Sequence, residues 1–294
     1  MHDYTIPVVL GVTFGTIARL MMMRTDYRQY PTYPQGRIIH ITLGFMAASI
    51  GAVAIPSILS SNWAAVTFLG LAAQQFRDVR NMERNSLQQL DSMELVPRGA
   101  SYIEGIAQAF EGRNYLVMFT SIVTTLVAIE LGMIWAVAAA LVTLVIDKRK
   151  MTGKELADIA DIEEASVRIE GPNVYVDTIY IMNIGLKADR KLIAERGIGM
   201  IVKPKNFNSI VTVANLGQRQ AMLHDISAVF GVYRDSGEPA LVPLAKRDMN
   251  DGRIGLLLLP QQKDADKIKR VLQRVLVLDS AIRLPGEADK TAGR

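Results

Sequence analysis

Three histidines, no cysteine and a few carboxylates in apolar surroundings are the material for chemistry in this chain of 294 residues. A zinc hydrolase of the His-Glu-x-x-His type sets two imidazoles one helical turn apart so that both reach one metal. His2, His40 and His224 have no such neighbourhood, so no metal site is expected. Intramembrane hydrolysis by two aspartates sharing a proton is excluded, because no Asp lies inside a long apolar stretch. A serine nucleophile with His40 as base would draw on Ser49, Ser57, Ser60 or Ser61. His40 lies at the opposite end of that stretch from Ser57, no Gly-x-Ser-x-Gly elbow is present, and His40 reads as an interfacial residue. No catalytic set can be assigned, and Glu104 is the one candidate acid.

Three further features remain. Glu130 is the single charge between Leu116 and Ile146, and an ionisable group at bilayer depth is a functional hypothesis by default. Gly217, Gln218 and Arg219 open a helix and form a candidate anion site. His224 and Asp225 are adjacent on that helix, so they point about 100° apart and do not act as one pair. Gly197 to Gly199 follows a helix instead of opening one, and no phosphate-binding loop occurs, so no cofactor is expected.

The elements that must position these residues fall into two halves. Residues 1–150 hold 12 Lys/Arg against 10 Asp/Glu and residues 151–294 hold 21 against 19, so neither half is basic enough to suggest nucleic acid. Almost all the continuous apolar sequence precedes Asp147. Spans are expected at about 5–23, 38–59, 63–76, 116–129 and 132–146, the last two forming a hairpin broken at Glu130-Leu131-Gly132. Each of those arms is shorter than the ~20 residues a span normally takes. Gly11 and Gly15 have a spacing that lets a second helix approach closely, and Arg19 is placed to snorkel toward headgroups. Arg24 to Arg37 holds three arginines and Arg77 to Asn114 five, whereas the Ser60-Ser61-Asn62 turn has none. Positive charge therefore puts the basic loops, and Lys148-Arg149-Lys150 after five crossings, on the cytoplasmic face.

Ser101 followed by Glu104 has the form of a capping box, Ile103, Ile106, Ala107 and Phe110 make an apolar stripe, and Gly112 is a stop signal. A short interfacial helix is expected over 101–111. Tyr102 to Ala107 spells YIEGIA, the hexapeptide that names a family of membrane proteins from endospore-forming bacteria. The chain resembles that family over nearly its full length in the order of its parts. The resemblance implies association with sporulation and a connection with membrane-linked proteolysis or its control, and it carries no catalytic residues. Tyr102, Ile103, Glu104, Gly105, Ile106, Ala107 and Arg113 are the expected motif and partner-binding residues.

After Met151 the pattern becomes that of a soluble α/β domain over 151–284, with a disordered tail over 285–294. Strands are expected at Ser166 to Glu170, Val174 to Ile181, Gly199 to Lys203, Ile210 to Val213, Gly231 to Arg234, Leu241 to Leu244, Ile254 to Leu259 and Ala281 to Leu284. Helices are expected at Leu186 to Arg196, Gln218 to Phe230 and Asp264 to Leu276. The fold class is thus an α-helical multi-span membrane domain followed by a soluble α/β domain of ferredoxin-like repeats. The expected function is regulatory or scaffolding: a bilayer-embedded chain with a protein partner or small ligand on the cytoplasmic side, homo-oligomer formation staying open. A membrane protease or protease component using Glu104 or a span serine is the alternative, and a small transporter built around Glu130 the third reading.

Overall fold

The computed structural model describes residues 4–29, 34–150, 153–233 and 243–282, with the side chains of 24–29, 34, 35 and 150 excluded. The expected tail over 285–294, and residues 234, 241, 242, 283 and 284 of three expected strands, lie outside the described residues. The chain divides into two compact units: Met1–Leu87 with Ile106–Thr152, and Gln88–Gly105 with Gly153–Arg294.

The first unit is helical. It contains α1 (Thr5–Gln29), α2 (Pro34–Leu59), most of α3 (Trp63–Asp91), α4 (Ala100–Glu130) from Ile106 onward, and α5 (Met133–Lys150). Thr5–Met23, Gly36–Leu59 and Ala100–Glu130 are long and apolar enough to cross a membrane. Two tight turns separate helices where the sequence predicts them. Ser61 takes a positive φ before Asn62, whose side chain accepts the Ala65 N–H at 3.1 Å and so caps α3. Gly132 has φ +93° between α4 and α5, a conformation that a Cβ disfavours.

Small residues set the helix register. A Cβ on Gly11 would fall 3.0 Å from the Ala52 Cβ and the Ser121 carbonyl oxygen, and one on Gly15 would fall 2.8 Å from the Ala48 Cβ. The Ser121 hydroxyl donates to the Gly11 carbonyl at 3.0 Å and the Thr125 hydroxyl to the Pro7 carbonyl at 3.4 Å. These pairings make α1 antiparallel to both α2 and α4. The Thr120 hydroxyl donates to the Asp147 carboxylate at 2.9 Å, which sets α5 antiparallel to α4.

Three expectations are corrected here. The helix over 101–111 is the beginning of a single 31-residue helix, and Gly112 does not stop it; a glycine costs about 1 kcal/mol inside a helix and does not by itself end one. The apolar run over 63–76 continues as helix to Asp91, because Phe76, Glu83 and Leu87 bury one face of the charged portion. Arg19 does not snorkel: it is 0% exposed.

The second unit is α/β. Its helices are α6 (Leu156–Ile159), α7 (Lys187–Arg196), α8 (Phe207–Ala214), α9 (Leu216–Phe230) and α10 (Ala265–Arg274), with a 3-10 turn at Asp279–Ala281. Strands β1 (Ala160–Ala165), β5 (Ile198–Pro204), β7 (Ile254–Leu258) and β6 (Leu244–Arg247) form one sheet in that order. Strands β2 (Val167–Glu170), β3 (Asn173–Val176) and β4 (Ile179–Asn183) form another. Every hydrogen-bonded pairing is antiparallel, and β5 and β6, joined through α8 and α9, run in the same direction on either side of β7. Val174, Val176, Ile179 and Ile181 pack with Ile193, Ile201 and Leu257 into the core shared by the two sheets. Arg253 reinforces this junction by donating to Asp177 at 2.9 Å, to the Thr178 hydroxyl at 3.2 Å and to Asp251.

Several expected strands take other forms. Val174 to Ile181 is a hairpin whose turn holds Asp177 at φ +55°. Ile210 to Val213 lies in α8, because the Asn206 side chain accepts the Ser209 N–H at 2.9 Å and starts a helix. Residues 231–233 form no strand, although the Tyr233 N–H donates to the Leu259 carbonyl at 2.7 Å, and Ala281 ends the 3-10 turn.

The glycines of the first unit yield a paired prediction. A Cβ on Gly51 would lie 2.5 Å from the Met118 carbonyl oxygen, whereas one on Gly70 meets no atom within 4 Å. Gly51→Ala is expected to destabilise the detergent-solubilised protein by about 1–3 kcal/mol, and Gly70→Ala to stabilise it by about 0.5–1 kcal/mol. Thermal unfolding of the two variants side by side checks the contrast.

Candidate functional site

The YIEGIA hexapeptide begins where the chain turns out of α3 and into α4. The Asp91 carboxylate accepts the N–H groups of Arg98 at 2.7 Å and Gly99 at 2.8 Å, closing the turn with two charge-assisted bonds. Gly99 has φ +82°, and a Cβ there would fall 2.5 Å from the Gln220 side chain, so this position needs glycine on two counts. The N–H groups of Tyr102 and Ile103 donate to the Gly99 carbonyl, both at 3.1 Å. Ser101 is therefore inside the helix and exposed, and the expected capping box does not form.

Burial explains most of the motif. Tyr102 is 5% exposed, with the Arg98 guanidinium 5.8 Å from its ring centre. The start of α9 lies against it: a Cβ on Gly217 would fall 3.1 Å from the backbone of Ser101 and Tyr102. A Cβ on Gly105 would fall 2.1 Å from the Ser280 Oγ. Ile103 and, in the helical unit, Ile106 and Ala107 are buried, and the division between the units falls between Gly105 and Ile106. The residues expected to meet a partner are thus mostly interior, and Glu104 is half-buried.

Within the α/β unit the Tyr102 cluster extends along α9. The ring of His224 is buried with Nδ1 2.7 Å from the Val96 carbonyl oxygen. Burial pushes the Asp225 carboxyl above the ordinary carboxylate range, against the opposing pull of His224 and Arg98. The expected anion site at the start of α9 is filled by the chain itself. Gly217 is buried, and the Gln218 side chain donates to the Leu276 carbonyl at 3.1 Å and accepts the Leu278 N–H at 2.8 Å. Arg219 alone points elsewhere, with Nη1 3.4 Å from the Ala245 carbonyl oxygen.

The helical unit holds a buried ionic cluster that sequence reasoning missed. The Arg19 guanidinium lies 5.1 Å from the Phe110 ring centre, and its Nε donates to the His40 carbonyl at 3.4 Å. The His40 ring packs 4.9 Å from Phe110, with Nε2 3.6 Å from the Glu83 carboxylate. Beside them Arg80 pairs with Glu111 at 3.0 Å, and the Tyr115 hydroxyl donates to Glu111 at 3.2 Å. Arg113 and Asn114 are buried on the same helix. His40 is thus an interior residue and not an interfacial one. The available signal was the recurrence of ionisable residues at corresponding ends of four helices. The hydroxyls of Ser49, Ser57 and Ser60 donate to their own helix carbonyls four residues back, at 2.9, 2.8 and 2.8 Å. Glu130 ends α4 and is exposed. Among the described residues no group of three His, Asp or Glu could hold a metal ion.

An antiparallel helical unit with three helices of membrane-crossing length, joined through the YIEGIA segment to an α/β unit, defines the class of protein. The chain belongs to the YIEGIA family: the profile of that family, described as YIEGIA protein, matches residues 7–288. It is similar to the protein named uncharacterized protein YphB of Bacillus subtilis (strain 168), an endospore-former. The two are 54% identical over 287 residues, which cover 98% of this chain and 97% of that protein. No solved structure matches the chain.

The raised carboxyl of Asp225 predicts a pH effect. Between the ordinary carboxylate range and its raised value the folded chain binds more protons than the unfolded one, so stability falls as pH rises and stays lower at neutral pH. Asp225→Asn is expected to slow hydrogen exchange of the α9 amides at pH 7.5, with the difference from the parent shrinking toward pH 4.

Proposed function

We propose that the chain is a multi-pass membrane protein of endospore formation that holds its α/β unit on the cytoplasmic side, where it acts as a regulator or scaffold by binding a partner protein or small ligand. The observation that carries the reading is the hairpin of α4 and α5. The helix break at Leu131-Gly132 and the Thr120 to Asp147 hydrogen bond turn α5 back along α4. The chain through Lys148-Arg149-Lys150 then runs toward the end of the bundle at which α2 starts. With spans at about 5–23, 38–59, 63–76, 116–129 and 132–146, all basic segments fall on one face, and the positive-inside rule makes that face cytoplasmic. Support for the sporulation role is the family itself and its relative in an endospore-former.

The buried cluster of Arg19, His40 and Glu83 fits a structural role in this reading. Ionisable groups within an apolar bundle pair with one another and with aromatic faces, and so fix helix positions. The motif is the stretch through which the chain passes from the α/β unit into the bundle, which gives its buried Tyr, Ile, Gly and Ala residues a common purpose.

A reporter fused after Lys154 tests the topology. One that is active only in the cytoplasm is expected to be active and one that is active only after export to be silent; the reverse pattern would sink the five-crossing arrangement. The role is tested in an endospore-forming host. Removal of the chain is expected to lower the yield of heat-resistant spores, the full chain to restore it, and a chain ending at Lys154 to leave it low.

A further inference from the structure

Two arginines of the α/β unit stand near one another with no acid paired to either among the described residues. Arg219, in the first turns of α9, reaches the Ala245 carbonyl on β6, and Arg247 is two residues further along that strand, hence on the same face as Ala245. Both are partly buried, and the Nε of each is shielded from water with no hydrogen-bond partner. Among the described residues neither forms an ion pair. Asp248, the acid next in sequence to Arg247, faces Arg253 at 3.7 Å. Burial, and then the nearby charge of Arg247, disfavour the charged form of Arg219, which is the electrostatic mark of two like charges held close.

Holding two guanidiniums in one half-buried place is unfavourable unless something neutralises them. Each presents a planar fork of N–H donors that matches phosphoryl and carboxylate oxygens. Charge separates these candidates. A phosphate monoester carries about −1.5 to −2 near neutral pH and cancels both arginines, whereas one carboxylate leaves a positive charge behind.

We infer that Arg219 and Arg247 form a binding site for the phosphoryl group of a small ligand, between the start of α9 and edge strand β6. The site differs from the helix-start arrangement expected from sequence, because Gly217 and Gln218 face inward and take no part. It deepens the ligand-binding part of the proposed function and is independent of membrane topology, which the Lys154 fusion reads separately.

The test uses the full chain in detergent, with inorganic pyrophosphate as the probe and chloride and sulfate at matched ionic strength as controls. Pyrophosphate is expected to raise the thermal midpoint above both controls. Arg247→Gln relieves the repulsion, so its midpoint without pyrophosphate is expected to equal or exceed that of the parent, while pyrophosphate binds about tenfold more weakly or worse. Arg219→Lys retains the charge but loses the planar fork and is expected to fall between the two. The inference is overturned if pyrophosphate shifts the midpoint no more than sulfate does. It is equally overturned if Arg247→Gln keeps the full pyrophosphate response, or if acetate shifts the parent as much as pyrophosphate.

Discussion

Polar side chains inside an apolar helical bundle gain most by finding partners there, because an unpaired hydroxyl or carboxylate away from water costs several kcal/mol at the upper end of the range. That constraint sets the arrangement of the helical unit. Ser121 and Thr125 reach carbonyls of α1, and they can do so because Gly11 and Gly15 let the backbones approach. Thr120 and Asp147 fix α5 against α4 in the same manner. Arg19 is held by the Phe110 ring and a carbonyl of α2, so its charge is compensated by groups from two other helices. The directions of α1, α2, α4 and α5 follow from these pairings.

Much of the helical unit is legible from composition, since long apolar runs and the turns at Ser60-Ser61-Asn62 and Leu131-Gly132 announce themselves locally. The extents of α3 and α4 are not legible in the same way. Hydropathy drops where Arg77 and Glu104 begin to alternate with apolar residues, yet Phe76, Leu87, Ile103 and Phe110 still bury a face and keep the helix going. Arg19 and His40 were misplaced for a different reason. Each lies near the end of an apolar run, which reads as an interface, while the ring that packs against both, Phe110, is some seventy or more residues away along the chain.

The α/β unit divides along similar lines. Strands that are continuous apolar runs, such as β5 and β7, are buried and stand out; β1 carries Asp161, Glu163 and Glu164 at the edge of its sheet and does not. Ile210 to Val213 has strand-like residues and forms helix, since tertiary burial and the Asn206 cap outweigh a β propensity of a few tenths to ~1 kcal/mol. The Asn206 cap was readable, as an asparagine three residues before Ser209. The role of Arg219 was partly legible as a cation at a helix start, but its companion on β6 is brought near only by the fold.

Helix α9 connects the features of the α/β unit that matter most. Its first turn abuts the backbone of Ser101 and Tyr102 through Gly217, ties down residues 276–278 through Gln218, and turns Arg219 toward β6. A group bound between Arg219 and Arg247 would remove a like-charge repulsion from the same turn that supports Tyr102. Neutralising that repulsion would favour the arrangement in which α9 stays close to the YIEGIA segment, so that binding at the proposed site would be linked in free energy to motif packing through a single turn of helix. Such linkage needs no large motion. It needs only that the first turn of α9 be less firmly seated when the charges of Arg219 and Arg247 are not neutralised.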